Sequence, residues 1–128
     1  MNIAITLPAN LCMEILEGKK LVEIRKSFPK KFNCLTDKVY VIMKNSHRVI
    51  MTMKLERFIK YVSVTDLWHN YCYQVRVQFK WLEKYAGNAD CLYAWEIGLV
   101  SPCQTYVDAR ELLGVYHNPQ SFIYVSQG

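Results

Sequence analysis

Ile15-Leu16-Glu17-Gly18-Lys19-Lys20-Leu21-Val22-Glu23-Ile24-Arg25-Lys26 is the stretch whose reading decides the fold. Before it, Leu11 with Ile15 and Cys12 with Leu16 keep helical spacing. Pro8 suits the first turn of that helix, where its missing N–H has no intrahelical partner to lose. Gly18 supplies the stop. From Leu21 the apolar period changes to two: Val22 and Ile24 point one way, Glu23 and Arg25 the other, which is the alternation of a strand. A helix is therefore expected to turn directly into a strand, with Lys19 and Lys20 in the turn.

Working outward, Ile3 to Leu7 reads as an opening strand, and Ser27 to Asn33 as a basic loop. Lys38 to Lys44 is a strand with Val39, Val41 and Met43 on one face. Asn45-Ser46-His47 joins it to a long strand, Arg48 to about Tyr61, with Val49, Met51, Met53 and Leu55 on one side. Such length predicts a curved or bulged strand. Ser63-Val64-Thr65-Asp66 matches a capping box ahead of a stripe of Val64, Leu67, Trp68 and Tyr71. A second helix is expected over about Val77 to Ala86, carrying Val77, Trp81, Leu82 and Tyr85 and ended by Gly87. Leu92 to Val100 is a strand with Tyr93, Trp95, Ile97 and Leu99 on one face. Asp108 to Gly114 forms a short capped helix, and Ser121 to Val125 a closing strand. The pattern is α+β: a small mixed β-barrel with helices inserted between strands.

The 128 residues make one domain, 1–128. With 52% hydrophobic and 21% charged residues, intrinsic disorder is excluded. The charge is uneven. Residues 1–60 hold twelve basic and five acidic side chains, and residues 61–128 four and six; four aromatics lie in the first part and thirteen in the second. A basic part and an aromatic part in one chain suit a ligand bearing phosphates and rings, although buried aromatics of a small core give the same count. The five cysteines, Cys12, Cys34, Cys72, Cys91 and Cys103, lack the spacing of a disulfide framework or a zinc site. Reduced thiols, no signal-peptide pattern and no long apolar run lead us to expect a soluble cytoplasmic protein without metal, cofactor or membrane partner. Oligomeric state is not legible.

The helix, Gly-Lys-Lys turn and Glu-x-Arg-Lys strand of the opening stretch resemble the signature of the ASCH domain, a branch of the PUA-like superfamily. Asn118-Pro119-Gln120-Ser121-Phe122-Ile123-Tyr124-Val125 is similar to the closing strand of small single-domain ASCH proteins. The resemblance implies a barrel of five or six strands, with a cleft bordered by the first helix, the second strand and neighbouring loops. It implies RNA or a nucleotide as partner. One small bacterial type in the family resembles an amidohydrolase acting on N4-acetylcytidine, with a Lys in the Gly-x-Lys turn, a Thr three residues later and a distant Glu. Lys20 matches the first; Glu23 stands where the Thr is expected, which removes that nucleophile; Glu83 is the nearest candidate for the third.

Chemically, Lys20 and Arg25 suit a phosphate or a carbonyl oxygen, Lys as a point charge and Arg as a fork. Glu23 suits an exocyclic amino group or ring N–H. The competing reading makes Glu23 and Arg25 a plain ion pair on an exposed strand face. Lys19, Lys26, Lys30 and Lys31 extend the basic character into the loop, as salt-sensitive phosphate contacts or ordinary solvated surface. Phe28 and Phe32 are either stacking rings or staples of that loop. Tyr85 at the end of its stripe, with Gln120 and Ser121 before the last strand, completes the candidate nucleic-acid-binding set. Trp68, Trp81 and Trp95 read as core. Catalysis, if any, would use Lys20 to polarise a carbonyl and Glu23 to handle a proton, as a nucleoside-amide hydrolase or a ribonuclease. A nucleotide-like effector in the cleft is the third reading.

Overall fold

The computed structural model describes residues 1–126. Ten elements follow along the chain: β1 (Asn2–Leu7), α1 (Ala9–Leu16), β2 (Val22–Arg25), β3 (Val39–Met43), β4 (Arg48–Tyr61), α2 (Val64–Tyr71), α3 (Phe79–Ala86), β5 (Leu92–Asp108), α4 (Ala109–Leu113) and β6 (Ile123–Val125). The fold is α+β, a six-stranded sheet in the order β2-β5-β4-β3-β1-β6. Among the described residues only β1 and β3 pair in parallel. That parallel pair needs a crossover, and α1, the Lys19–Lys20 turn and β2 lie within it.

The expected barrel is not closed by a ladder: β2 and β6 are the two edges of the sheet. The sheet nevertheless curls until those edges nearly meet. Arg25 Nη1 donates to the Ser121 carbonyl at 2.6 Å, and the Ser27 and Ser121 hydroxyls lie 3.4 Å apart. A side chain crosses the gap that backbone bonds would close in a barrel. With β2 four residues long and β6 three, neither edge offers much backbone to pair.

The main core fills the concave side, with Ile3, Ile5, Val39, Val41, Met53 and Trp95 at its centre. A second apolar cluster lies where α2 and α3 cover Val22 and Ile24 of β2 and Ala94 of β5, and a third gathers Ala4, Tyr40, Ile42 and Val49 with Ala109 of α4. Since strand residues alternate between faces, these clusters fix the direction of β2. Val22 and Ile24 pack outward under the helices, so Glu23 and Arg25 must face the concave interior, Glu23 opposite the fully buried Trp95.

Three details differ from the sequence reading. The bulge in β4 falls at Ile50: Ile42 pairs with Val49 and Val41 with Met51. Val49 therefore leaves the face of Met51 and Met53 and packs with the third cluster. β5 continues past Val100 to Asp108; Pro102 fits because the register jumps from Met51–Pro102 to Val49–Val107, and a bulge tolerates the missing donor. Leu99, assigned to the apolar face, is 70% exposed. The Ser63 half of the expected capping box is formed, with the Ser63 hydroxyl accepting from the Asp66 N–H at 3.2 Å.

Candidate functional site

Glu23 and Arg25 reach the interior because β2 alternates, and Lys20 joins them because the helix-to-strand turn bends inward. Gly18, at φ +75°, takes the left-handed conformation that ends α1. All three charged side chains are buried, with 2% of Lys20, 6% of Glu23 and 7% of Arg25 exposed. Glu23 Oε2 accepts from Arg25 Nη2 at 2.8 Å and Nε at 3.2 Å. Its Oε1 accepts from the Ile24 N–H at 3.2 Å and lies 3.5 Å from Lys20 Nζ. Lys20 also donates to the carbonyls of Val22 at 2.9 Å and Val75 at 2.6 Å. The exposed-strand ion pair considered above is thus an interior cluster, sheltered from solvent screening.

Burial alone would raise the Glu23 carboxyl pKa, but the nearby Arg25 and Lys20 charges and its hydrogen bonds outweigh that and hold it below the ordinary value. Glu23 is a carboxylate at neutral pH, and its oxygens are already engaged. Arg25 is less committed. Of a guanidinium's five N–H groups, three have partners among the described residues, which leaves one each on Nη1 and Nη2. Arg25 also sits 5.8 Å from the centre of the Trp95 ring, inside the range of a cation–π contact.

A cavity of about 180 Å³ opens against this cluster, lined by Leu7, Pro8, Leu11, Glu23, Ile24, Arg25, Trp81, Tyr85 and Gln120. Its walls are apolar and its floor is ionic. Tyr85 stacks on Trp81, with ring centres 5.1 Å apart and planes 8° from parallel. Burial pushes the Tyr85 phenol up, so it stays a neutral hydroxyl. Lys26 Nζ lies 5.0 Å from the Tyr85 ring centre.

The structure thus brings Glu23, Arg25, Tyr85 and Gln120 to one cavity, with Lys20 directly behind it and Lys26 at its rim. Ser121 contributes its carbonyl to Arg25. Lys19 is exposed and pairs with Glu17 at 3.6 Å. Lys30 is exposed, and the Lys31 carbonyl accepts from the N-terminal amine of Met1 at 2.6 Å. That is one end of β1, whereas Leu7 and Pro8 at the cavity are the other, roughly 20 Å away for a six-residue strand. The Lys30–Lys31 end of the basic loop is therefore not at the rim of this cavity. Glu83 is exposed and does not line the cavity. Phe28 and Phe32 both act as staples, with Phe58 at 5.4 and 6.0 Å.

Sequence reading missed Trp81. It is 49% exposed rather than core, because the α3 stripe is two faces: Leu82 and Ala86 point into the protein, Trp81 and Tyr85 along its side. The i, i+4 spacing of the two rings was the available signal. Cys12 is buried on the inner face of α1 with its thiol pushed up to about 12, chiefly by burial, and among the described residues no cysteines are paired. Among the described residues there is no cluster of metal-ligating side chains, and no helix is long and apolar enough to cross a membrane.

No family model and no curated protein sequence matches the chain. Solved structures do. The ASCH protein from Zymomonas mobilis is 20% identical and superposes with a TM-score of 0.82 over 96% of this chain and 86% of its own. A single-substitution variant of it agrees equally, over 87% of that chain. The hypothetical protein PH0355 aligns at a TM-score of 0.55 and 17% identity, over 78% of this chain and 97% of its own. The chain has the ASCH fold.

Proposed function

We propose that this chain is an RNA-binding module that takes one base into the cavity over Arg25. The carrying observation is the burial of Lys20, Glu23 and Arg25 against a hollow in an otherwise apolar interior. Taking ions out of water costs several kcal/mol each, and apolar residues of the same size would hold the sheet edges together without that cost. A ligand that needs the guanidinium explains why it is there. The free N–H groups on Nη1 and Nη2 suit the acceptor edge of a base, such as the paired acceptors of guanine that Arg commonly reads. Glu23 and Lys20 act through Arg25: they fix its position and keep its charge compensated while the site is empty. The hollow is smaller than the roughly 300–1,000 Å³ of drug-sized pockets, a size that favours a single ring over a whole nucleotide.

Hydrolysis is less well supported. Glu23 is held ionised by two cations, which makes it a weak base and no acid, and Lys20 spends its ammonium on two carbonyls and Glu23. Titrating short single-stranded and hairpin RNA at two salt concentrations tests the proposal. Binding that weakens with salt and is lost in Arg25→Met supports it; no binding at low salt, or full affinity in Arg25→Met, overturns it. Incubation with N4-acetylcytidine followed by chromatography separates the hydrolase reading, which alone predicts turnover.

A further inference from the structure

We propose that the site is built for a strand rather than a free nucleoside. One base enters the cavity, and the adjacent nucleotide of the same single-stranded RNA stacks on Trp81 in the groove outside it. This inference rests on the base-binding reading of the cavity and extends it to a second subsite.

The placement of Trp81 carries the argument. It is a large aromatic side chain left 49% exposed, and it shares the groove lining with Pro8, Leu11 and Val77, so it belongs to an apolar patch and is not a lone surface side chain. Tyr85 covers one of its faces in a nearly parallel stack, so the pair is already a short column of rings. Three hollows meet at this tryptophan. The first is the cavity over Arg25. The second is a groove of about 320 Å³ lined by Pro8, Asn10, Leu11, Arg76, Val77, Gln78 and Trp81. The third is a shallower space of about 280 Å³ bounded by Trp81, Lys84 and Tyr85. Cavity and groove share Pro8, Leu11 and Trp81, so the two hollows adjoin at the tryptophan.

The charges around the tryptophan favour a phosphodiester. Lys26 sits over Tyr85, and Lys84 borders the shallow space. Neither is in a salt bridge among the described residues. Arg76, at the far end of the groove, is instead compensated by Glu14 at 2.6 Å. Uncompensated positive charge is thus concentrated beside the ring pair, where a phosphate linking an inner base to an outer one would lie. Polar Asn10 and Gln78 on the groove wall suit the edge of the second base. Such a surface stacks any base, as sequence-tolerant single-strand binders do.

The test is calorimetric titration of the full chain with the four ribonucleosides and the four ribo-homotetranucleotides. The best tetranucleotide is expected to bind at least about tenfold more tightly than its own nucleoside, given the usual worth of one stacked base. Trp81→Ala and Lys84→Ala should each weaken the tetranucleotide by roughly five- to tenfold, and Trp81→Phe should recover part of the loss. Lys84→Ala should leave nucleoside affinity unchanged. Equal affinity of tetranucleotide and nucleoside in the unmodified protein overturns the second subsite and leaves the cavity reading standing. So does unchanged tetranucleotide affinity in both Trp81→Ala and Lys84→Ala. If no nucleoside and no tetranucleotide binds, the cavity reading falls and this inference with it. Displacement of a bound tetranucleotide by an unrelated apolar peptide would assign the groove to protein contacts instead.

Discussion

Replacing Glu23 by alanine separates what the buried cluster does for stability from what it does for binding. The substitution removes the acceptor of two Arg25 hydrogen bonds, the acceptor of the Ile24 N–H and the partner of Lys20 at 3.5 Å. It leaves two cations with no more than 7% exposure and no counter-ion. Breaking a buried pair in this way costs about 3–5 kcal/mol, which for a chain of this size lowers Tm by roughly 10–20 °C. Replacing the whole cluster with apolar side chains, Lys20→Met with Glu23→Leu and Arg25→Met, removes the charges together. That variant should lie within about 2 kcal/mol of the unmodified protein or exceed it, yet lose RNA binding. Thermal and urea denaturation followed by circular dichroism measures both. A loss under about 1 kcal/mol for Glu23→Ala would show that the cluster is not sealed from solvent. An apolar triple variant that still binds RNA would remove the functional reason for burying the charges.

Further expectations follow from the same contacts. Because the folded-state pKa of Glu23 is lowered, its stabilising contribution is present above the ordinary carboxylate pKa and is lost as pH falls through the lower folded value. Stability should therefore drop on acidification below about pH 4.3, and Glu23→Gln should flatten that limb in urea titrations run as a function of pH; an unchanged acid limb contradicts the assignment. Ser63→Ala should cost about 0.5–2 kcal/mol by removing the cap of α2, read from the shift in urea midpoint. Trp95→Ala should cost about 3–5 kcal/mol, since the ring is fully buried and its Nε1–H donates to the Ser27 carbonyl at 3.1 Å. The Cys12 thiol, raised to about 12 and buried, should resist alkylation at pH 8 in the folded protein and react on unfolding, as peptide mapping would show.

Local signals in the sequence carried far. The change of period across Gly18 located the helix-to-strand turn, the alternation Met51-Met53-Leu55 found β4, and Ser63 with Asp66 marked the start of α2. These features depend on residues close in the chain. What was not legible depends on which face a tertiary partner covers. Glu23 and Arg25 look solvent-facing because polar strand residues usually are; they turn inward because α2 and α3 cover the opposite side of β2. The same absence of tertiary information put Trp81 in the core and the Lys30–Lys31 loop beside the cleft, although β1 places that loop at the far end of the strand. The sequence reading ended β5 at Val100, since a jump in register cannot be read from one strand alone.

The central claim is that the base enters over Arg25 and not along the basic loop. Heteronuclear correlation spectra of the isotopically labelled protein, recorded during titration with a short single-stranded RNA, test it most directly. The account predicts saturable shifts of the Arg25 Nε–H and Trp81 indole N–H resonances, with the backbone amides of Lys30 and Lys31 little changed. Shifts confined to the Lys30–Lys31 loop, with the Arg25 and Trp81 resonances unmoved, would contradict it.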